Sequence, residues 1–285
     1  MAFLSTSAGS ILKPEEVHDL IVQPTQEQSV AMQTATVVPT SSAEFRFPVV
    51  VEDAAAQWLS EGEEIPLTDP TVDEVVARPK KIASLTKVSR ELAEDSSPEA
   101  TALVGASVAR DMARRIDAAW FAASTAKGPA GLASLIGTAQ SVAGGAYTNL
   151  DALAEALSLI EDVGGNPTAF VSNSSTVLAL SKLKKTSDSN EPLLSPNLAT
   201  GATQRIERQL LGVRLHSTPD TNLEDDVIWA YDQSKVFVVL RRDVDLAVDQ
   251  SAFFTSDSLA VRCTMRIDFA FPHPQSVVRV GPDGS

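Results

Sequence analysis

The chain has 285 residues, 44% hydrophobic and 21% charged, with a formal net charge of −14; it can bury a substantial core and has a globular rather than a disordered composition. Lysine and arginine never cluster beyond two or three neighbours, so a phosphate-binding stripe is absent from the sequence and direct nucleic-acid binding is disfavoured. Cys263 is the only cysteine, which excludes an intrachain disulfide or a cysteine zinc cluster and points to a reducing cytoplasm, and neither a signal peptide nor a membrane-length apolar run is visible.

Residues 1 to 41 are rich in Ser, Thr, Gln and Val and poor in large apolar side chains. Apart from a helical stretch at LKPEEVHDLIV, with Pro14 at its first turn, this segment cannot bury enough surface to hold itself, so it is expected to be disordered or to lie as an arm on something else. EFRFPVVVE then alternates, with Phe45, Phe47, Val49 and Val51 on one face, and Pro48 predicts an edge strand. QWLSEGEEIPLTDPTVDEV follows, carrying Trp58, Glu61, Glu63, Glu64, Asp69, Asp73 and Glu74 and little that a core could use. RPKKIASLTKVSREL, with Ile82 and Val88, is expected as the returning strand of a long projecting hairpin, which by itself is marginal in water.

The clearest helix spans Pro98 to Ser124, with Ser97 as N-cap and Val104, Val108, Met112, Ile116, Ala119, Trp120 and Ala123 at helical spacing. Arg110, Arg114, Arg115 and Asp117 fall mainly elsewhere. Such a helix is roughly 40 Å long at about 1.5 Å per residue. Its expected partner is LAVRCTMRIDFAF, where Leu259, Val261, Cys263, Met265, Ile267, Phe269 and Phe271 alternate with Arg262, Arg266 and Asp268 over roughly 43 Å at about 3.3 Å per residue. Between them a compact α/β portion is predicted: a helix at NLDALAEALSLIEDVGG, a buried strand at PTAFVSN, a helix at SSTVLALSKLKK, a loop, and strands at LLGVRLHST, DVIWAYD, KVFVVLRR and VDLAVD.

Catalytic constellations fail one by one. His18, His216 and His273 show no metal spacing. Ser107 lies in GASVA, mid-helix and without the second glycine of a nucleophile elbow. Gly164-Gly165 reads as a helix C-cap, and the pairs Glu63-Glu64, Asp73-Glu74 and Asp225-Asp226 read as solvated faces. No catalytic residue, cofactor or metal is expected. Arg262, Arg266 and Asp268 suit cross-strand ion pairs within a sheet or, more sharply, salt bridges between subunits.

The order of parts carries a resemblance. A weakly packed arm, an acidic hairpin with W.SEGEEIP and RPKKIASLTKVSRELAEDS, a long helix, an α/β insertion with FVSNSSTVLALSKLKK and LLGVRL, and a closing FFTSDSLAVRCTMRIDFAF together resemble the tailed-bacteriophage major capsid protein family over nearly the whole chain. The resemblance implies an α+β Hong Kong-type phage capsid fold. Its parts would be an N-terminal arm (1–41), an extended loop with its strands (42–90), a spine helix of the peripheral domain (91–129), an axial domain (130–230) and C-terminal peripheral strands (231–285). It further implies self-assembly into pentamers and hexamers of an icosahedral shell around packaged DNA, without sequence-specific binding. Scaffolding, portal and decoration proteins are the partners it suggests, the scaffold being a separate protein because the arm is short. Trp58, Glu61, Glu63, Glu64, Asp69, Asp73, Glu74, Arg262, Arg266 and Asp268 are the candidate intersubunit contacts. The chain has no lysine between Val51 and Pro79, so the loop cross-link of some family members is not expected. The alternatives are an encapsulin-like compartment shell, a tail-tube protein and, remotely, a hydrolase.

Overall fold

The computed structural model describes residues 23–52, 56–62, 64, 67–89, 98–145, 147–185, 191, 193–194, 208–219 and 222–282. The helix expected near Pro14, the Ser97 cap, Glu63 and nearly all of the loop after Lys185 lie outside these residues.

Two sheets and one long helix organise the molecule. The helix, α3 (Pro98–Phe121), covers a four-stranded sheet built from β1 (Thr36–Thr40), β10 (Phe237–Phe253), β11 (Ser258–Ala270) and β4 (Lys80–Ser89) in that order. β1 runs parallel to β10; the other pairings are antiparallel. The expected helix-strand partnership is present: Val108, Met112, Ile116, Ala119 and Trp120 share one core with Cys263, Met265, Ile267 and Phe269. Trp120 packs edge-on against Phe269 at 4.9 Å between ring centres. Ala123 is exposed, because the helix stops at Phe121. There the chain doubles back with Gly131 against the helix end, where a Cβ would sit 2.2 Å from the Ala119 and Trp120 carbonyls. Only glycine fits that approach.

KVFVVLRR and VDLAVD form not two strands but one of 17 residues, β10, with a register shift between Arg241 and Asp245. The shift absorbs the break in hydrophobic pattern that made the sequence look interrupted. In β11 alternation holds from Cys263 to Phe269 and inverts before it, where Ser258 and Ala260 are buried and Leu259 and Val261 only half-buried.

A six-stranded sheet, ordered β5 (Gln140–Ala143), β12 (Val277–Gly281), β9 (Ile228–Tyr231), β6 (Ala169–Asn173), β8 (Val213–Thr218) and β7 (Arg208–Leu210), forms the second body. Helices α4 (Asp151–Asp162) and α5 (Ser174–Ser181) cover one face, on which Phe170, Ile228 and Ala230 meet Leu153, Ile160 and Val177. Ala169, Val171, Trp229 and Tyr231 point the other way into the core under α3. Burial on both faces explains the unbroken apolar runs at these strands. The expected boundary at residue 230 needs one correction: Val277–Gly281 belongs to this sheet and not with the preceding C-terminal strands. The chain crosses over after Ala270 through Pro272 and Pro274, neither of which can donate to a ladder.

Of the two expectations for the 1–41 segment, disorder or an arm lying on something else, the described part fits the second, lying on the main core. α1 (Gln23–Gln28) and α2 (Val30–Thr34) lead into β1, and Val30, Ala31, Met32 and Ala35 are buried in the main core. The anchor is Asp117, which the helical pattern placed on the polar side of α3. It is buried and accepts from Ser29 Oγ at 2.6 Å and from the backbone N–H groups of Val30 and Ala31 at 3.0 Å each. A carboxylate borrowed from α3 thus satisfies the first donors of α2.

Candidate intersubunit interface

The hairpin differs from its expected form. β2 (Phe45–Glu52) pairs with β3 (Thr71–Ala77), so Asp73 and Glu74 are strand residues and not part of a tip. RPKKIASLTKVSREL is not the returning strand: Pro79, without an N–H, ends that ladder, and Lys80–Ser89 crosses into the four-stranded sheet beside β11. Val72, Val75 and Val76 supply the β-branched residues that make the acidic stretch a strand.

The hairpin base is packed and its far end is not. Phe47, Ala77, Val239 and Ala270 form a small core with Phe45, Val75 and Phe237, and Phe47 stacks on Phe237 at 4.7 Å. Arg46 pairs with Glu74 at 2.5 Å across the strands, and Arg78 with Glu44 at 2.8 Å. Beyond them Trp58 is 104% exposed and Leu67 91%, and Val50, Val51 and Val72 are also open to solvent. Glu61, Glu64 and Asp69 are exposed beside them. The sequence expectation of few apolar anchors misses Leu67 and the bare valines; only the loss of their covering strand reveals them.

Asp268 sits where the hairpin joins the body. It accepts from the Arg78 backbone N–H and from its own neighbour's, Phe269. Burial pushes its carboxyl above the usual range, an effect opposed by those two hydrogen bonds and by Lys80. The same sheet face continues from there as a cationic surface. Arg266 stands in register between Arg241 on β10 and Lys81 on β4. Side-by-side like charges on neighbouring strands are unfavourable unless an anion joins them. One step along, Arg262 pairs with Asp245 at 3.2 Å, the in-sheet alternative, next to Leu85, which is 64% exposed.

Ser107 is an exposed residue of α3, and other candidates for chemistry have structural roles. Asn173 of the NSS triplet is buried, caps α5 through Thr176 N–H, and donates to Asp225 at 2.6 Å. Hydrogen bonds from Ser175 and Asn173 hold the Asp225 carboxyl below its usual range. Burial pushes the Cys263 thiol up to about 11, leaving it a packed, unreactive side chain. Desolvation and Lys235 lower the His273 imidazole. Among the described residues no cluster of His, Cys, Asp or Glu could hold a metal, and no helix is long and apolar enough to cross a membrane.

A family model described as "Phage capsid family" matches residues 9–280. Curated proteins give no match. Among solved structures, the capsid of an empty GTA particle, computed with C5 symmetry, superposes at a TM-score of 0.69 with 19% identity, over 99% of this chain and 94% of that one. A structure from Microbacterium phage Oxtober96 gives 0.69 at 20% identity over 98% and 96%, and one from Mycobacterium phage Bobi 0.66 at 16% over 100% and 96%. At such identities the structures speak to the fold, and the fold is shared from end to end.

Proposed function

The chain belongs to the phage capsid family, and on that premise we propose that it is the major capsid protein of a tailed phage. It is a structural subunit of the virion, and copies of it close into pentamers and hexamers of an icosahedral head around double-stranded DNA. The five-fold symmetry with which the similar GTA capsid was computed supports the pentamers. A separate scaffolding protein and a portal complete the assembly.

The observation that carries this reading is the hairpin: a base anchored in the subunit's own core and an acidic end on which Trp58 and Leu67 touch almost nothing. Exposed large apolar side chains grouped on one projection mark an interaction surface. Across the subunit boundary, the tip of one copy (Trp58, Glu61, Glu63, Glu64, Leu67, Asp69) lies on the sheet face of its neighbour. There Lys81, Arg262 and Arg266 face the carboxylates and Leu85 faces the apolar pair. Opposite potentials set register and encounter rate, while Trp58, buried by the contact, supplies most of its energy.

Reversing Glu61, Glu63 and Glu64 to lysine tests this. The unassembled triple variant should melt like the wild type, since Glu61 and Glu64 are exposed and contribute no core packing, while shell yield in sedimentation collapses. Lys81→Glu together with Arg266→Glu in the same chain should restore part of that yield. Normal shells from the triple variant alone would show that the tip is merely solvated.

A further inference from the structure

A cleft of about 1100 Å³ opens between the outer face of α3, the α1–α2 segment and the β7–β8 edge of the six-stranded sheet. Arg110, Arg114 and Arg115 line it from the helix, and Arg208 and Arg214 from the strands. Two aspartates share it, leaving the arginines in excess, five to two. Asp117 is committed to the start of α2, and Asp111 lies 4.0 Å from Arg115 as a helical i, i+4 neighbour. Arg110, Arg114 and Arg208 are exposed and have no acidic partner among the described residues. In a chain of net charge −14 this is a local inversion of sign, and a concave wall of one charge focuses its field. The linear sequence hides it, because the two arginine groups are about a hundred positions apart and only the fold joins them.

The wall chemistry distinguishes between anionic partners. Among the described residues no Phe, Tyr or Trp lines the cleft and His216 is its single ring, so successive single-stranded bases would find no stacking platform. The apolar atoms come from Val30, Ala113, Ala118, Leu215 and Pro219, which offer no deep pocket for the anchor residues on which peptide recognition depends. Guanidinium forks spaced along a helix and facing strand suit repeated phosphate oxygens. We infer that this cleft is a contact site for the phosphate backbone of duplex nucleic acid, independent of base sequence. The inference rests on the shell reading only for the source of the duplex, which would be the enclosed genome.

The test is fluorescence anisotropy of the purified full-length chain with a 20-base-pair duplex over a range of salt. Wild type should bind at 50 mM salt, equally for two unrelated sequences, and lose affinity steeply toward 200 mM. Arg110→Gln with Arg114→Gln, both on the helix exterior, should melt normally and still assemble. Binding should weaken about tenfold or more, with the log–log salt slope shallower by about two. No wild-type binding at 50 mM, or binding unchanged in the double variant, overturns the inference. So does equal arginine-dependent binding of a polyglutamate peptide, which would make the cleft a general acidic-segment site. Arginine-dependent duplex binding by a chain that forms no shells would support the cleft while defeating the capsid reading, so the two fail separately.

Discussion

Asp117 is the residue on which the N-terminal segment depends. Its carboxylate accepts from the Ser29 hydroxyl and from two backbone N–H groups in a buried place, so each partner would be left without an acceptor by truncation. Asp117→Ala should cost about 2–4 kcal/mol of subunit stability in denaturant unfolding, and Asp117→Asn less, because an amide oxygen still accepts. Equal stabilities for wild type and alanine variant would show that the segment is held by its apolar contacts alone. Nothing in the sequence around Asp117 announces this role. Helical periodicity assigns a face to a residue, but a polar residue at the edge of the apolar face can reach a buried donor that lies some 87 positions away in the chain.

At the scale of elements, the elbow between β3 and β4 decides where the hairpin points. Asp268 clasps it through the Arg78 amide. Because the folded carboxyl titrates above its unfolded value, the native state holds the proton more tightly. That contribution to stability is complete below the unfolded pKa and disappears as pH rises through the folded one. Relative to Asp268→Asn, which keeps an acceptor and carries no charge, wild type should therefore lose stability across the carboxylate range and then level off. A difference independent of pH, read by urea unfolding at several pH values, would contradict this. Elements with strong periodicity, α3, α4 and β11 from Cys263 to Phe269, were legible because their apolar spacing is also their burial. The hairpin's pairing was not: the alternation of 45–52 finds an equally plausible partner in 71–77 or 80–89, and Pro79 decides between them only once the second sheet is seen to need β4.

The whole molecule joins a well-packed two-sheet body to a hairpin whose base is packed and whose far end is bare. The projection was evident from composition, since acidic residues without apolar partners do not make a core. The cationic sheet face and the arginine cleft were invisible, because each collects residues from distant stretches of chain. Both surfaces follow from the body's topology. The most direct measurement is a cryo-electron microscopy reconstruction of particles assembled from this chain. Closed shells of pentamers and hexamers are expected, with residues 56–70 ordered over the adjacent subunit's Lys81, Arg262 and Arg266. Failure to form shells, or shells in which that loop projects into solvent without touching a neighbour, would contradict the capsid reading or its interface respectively.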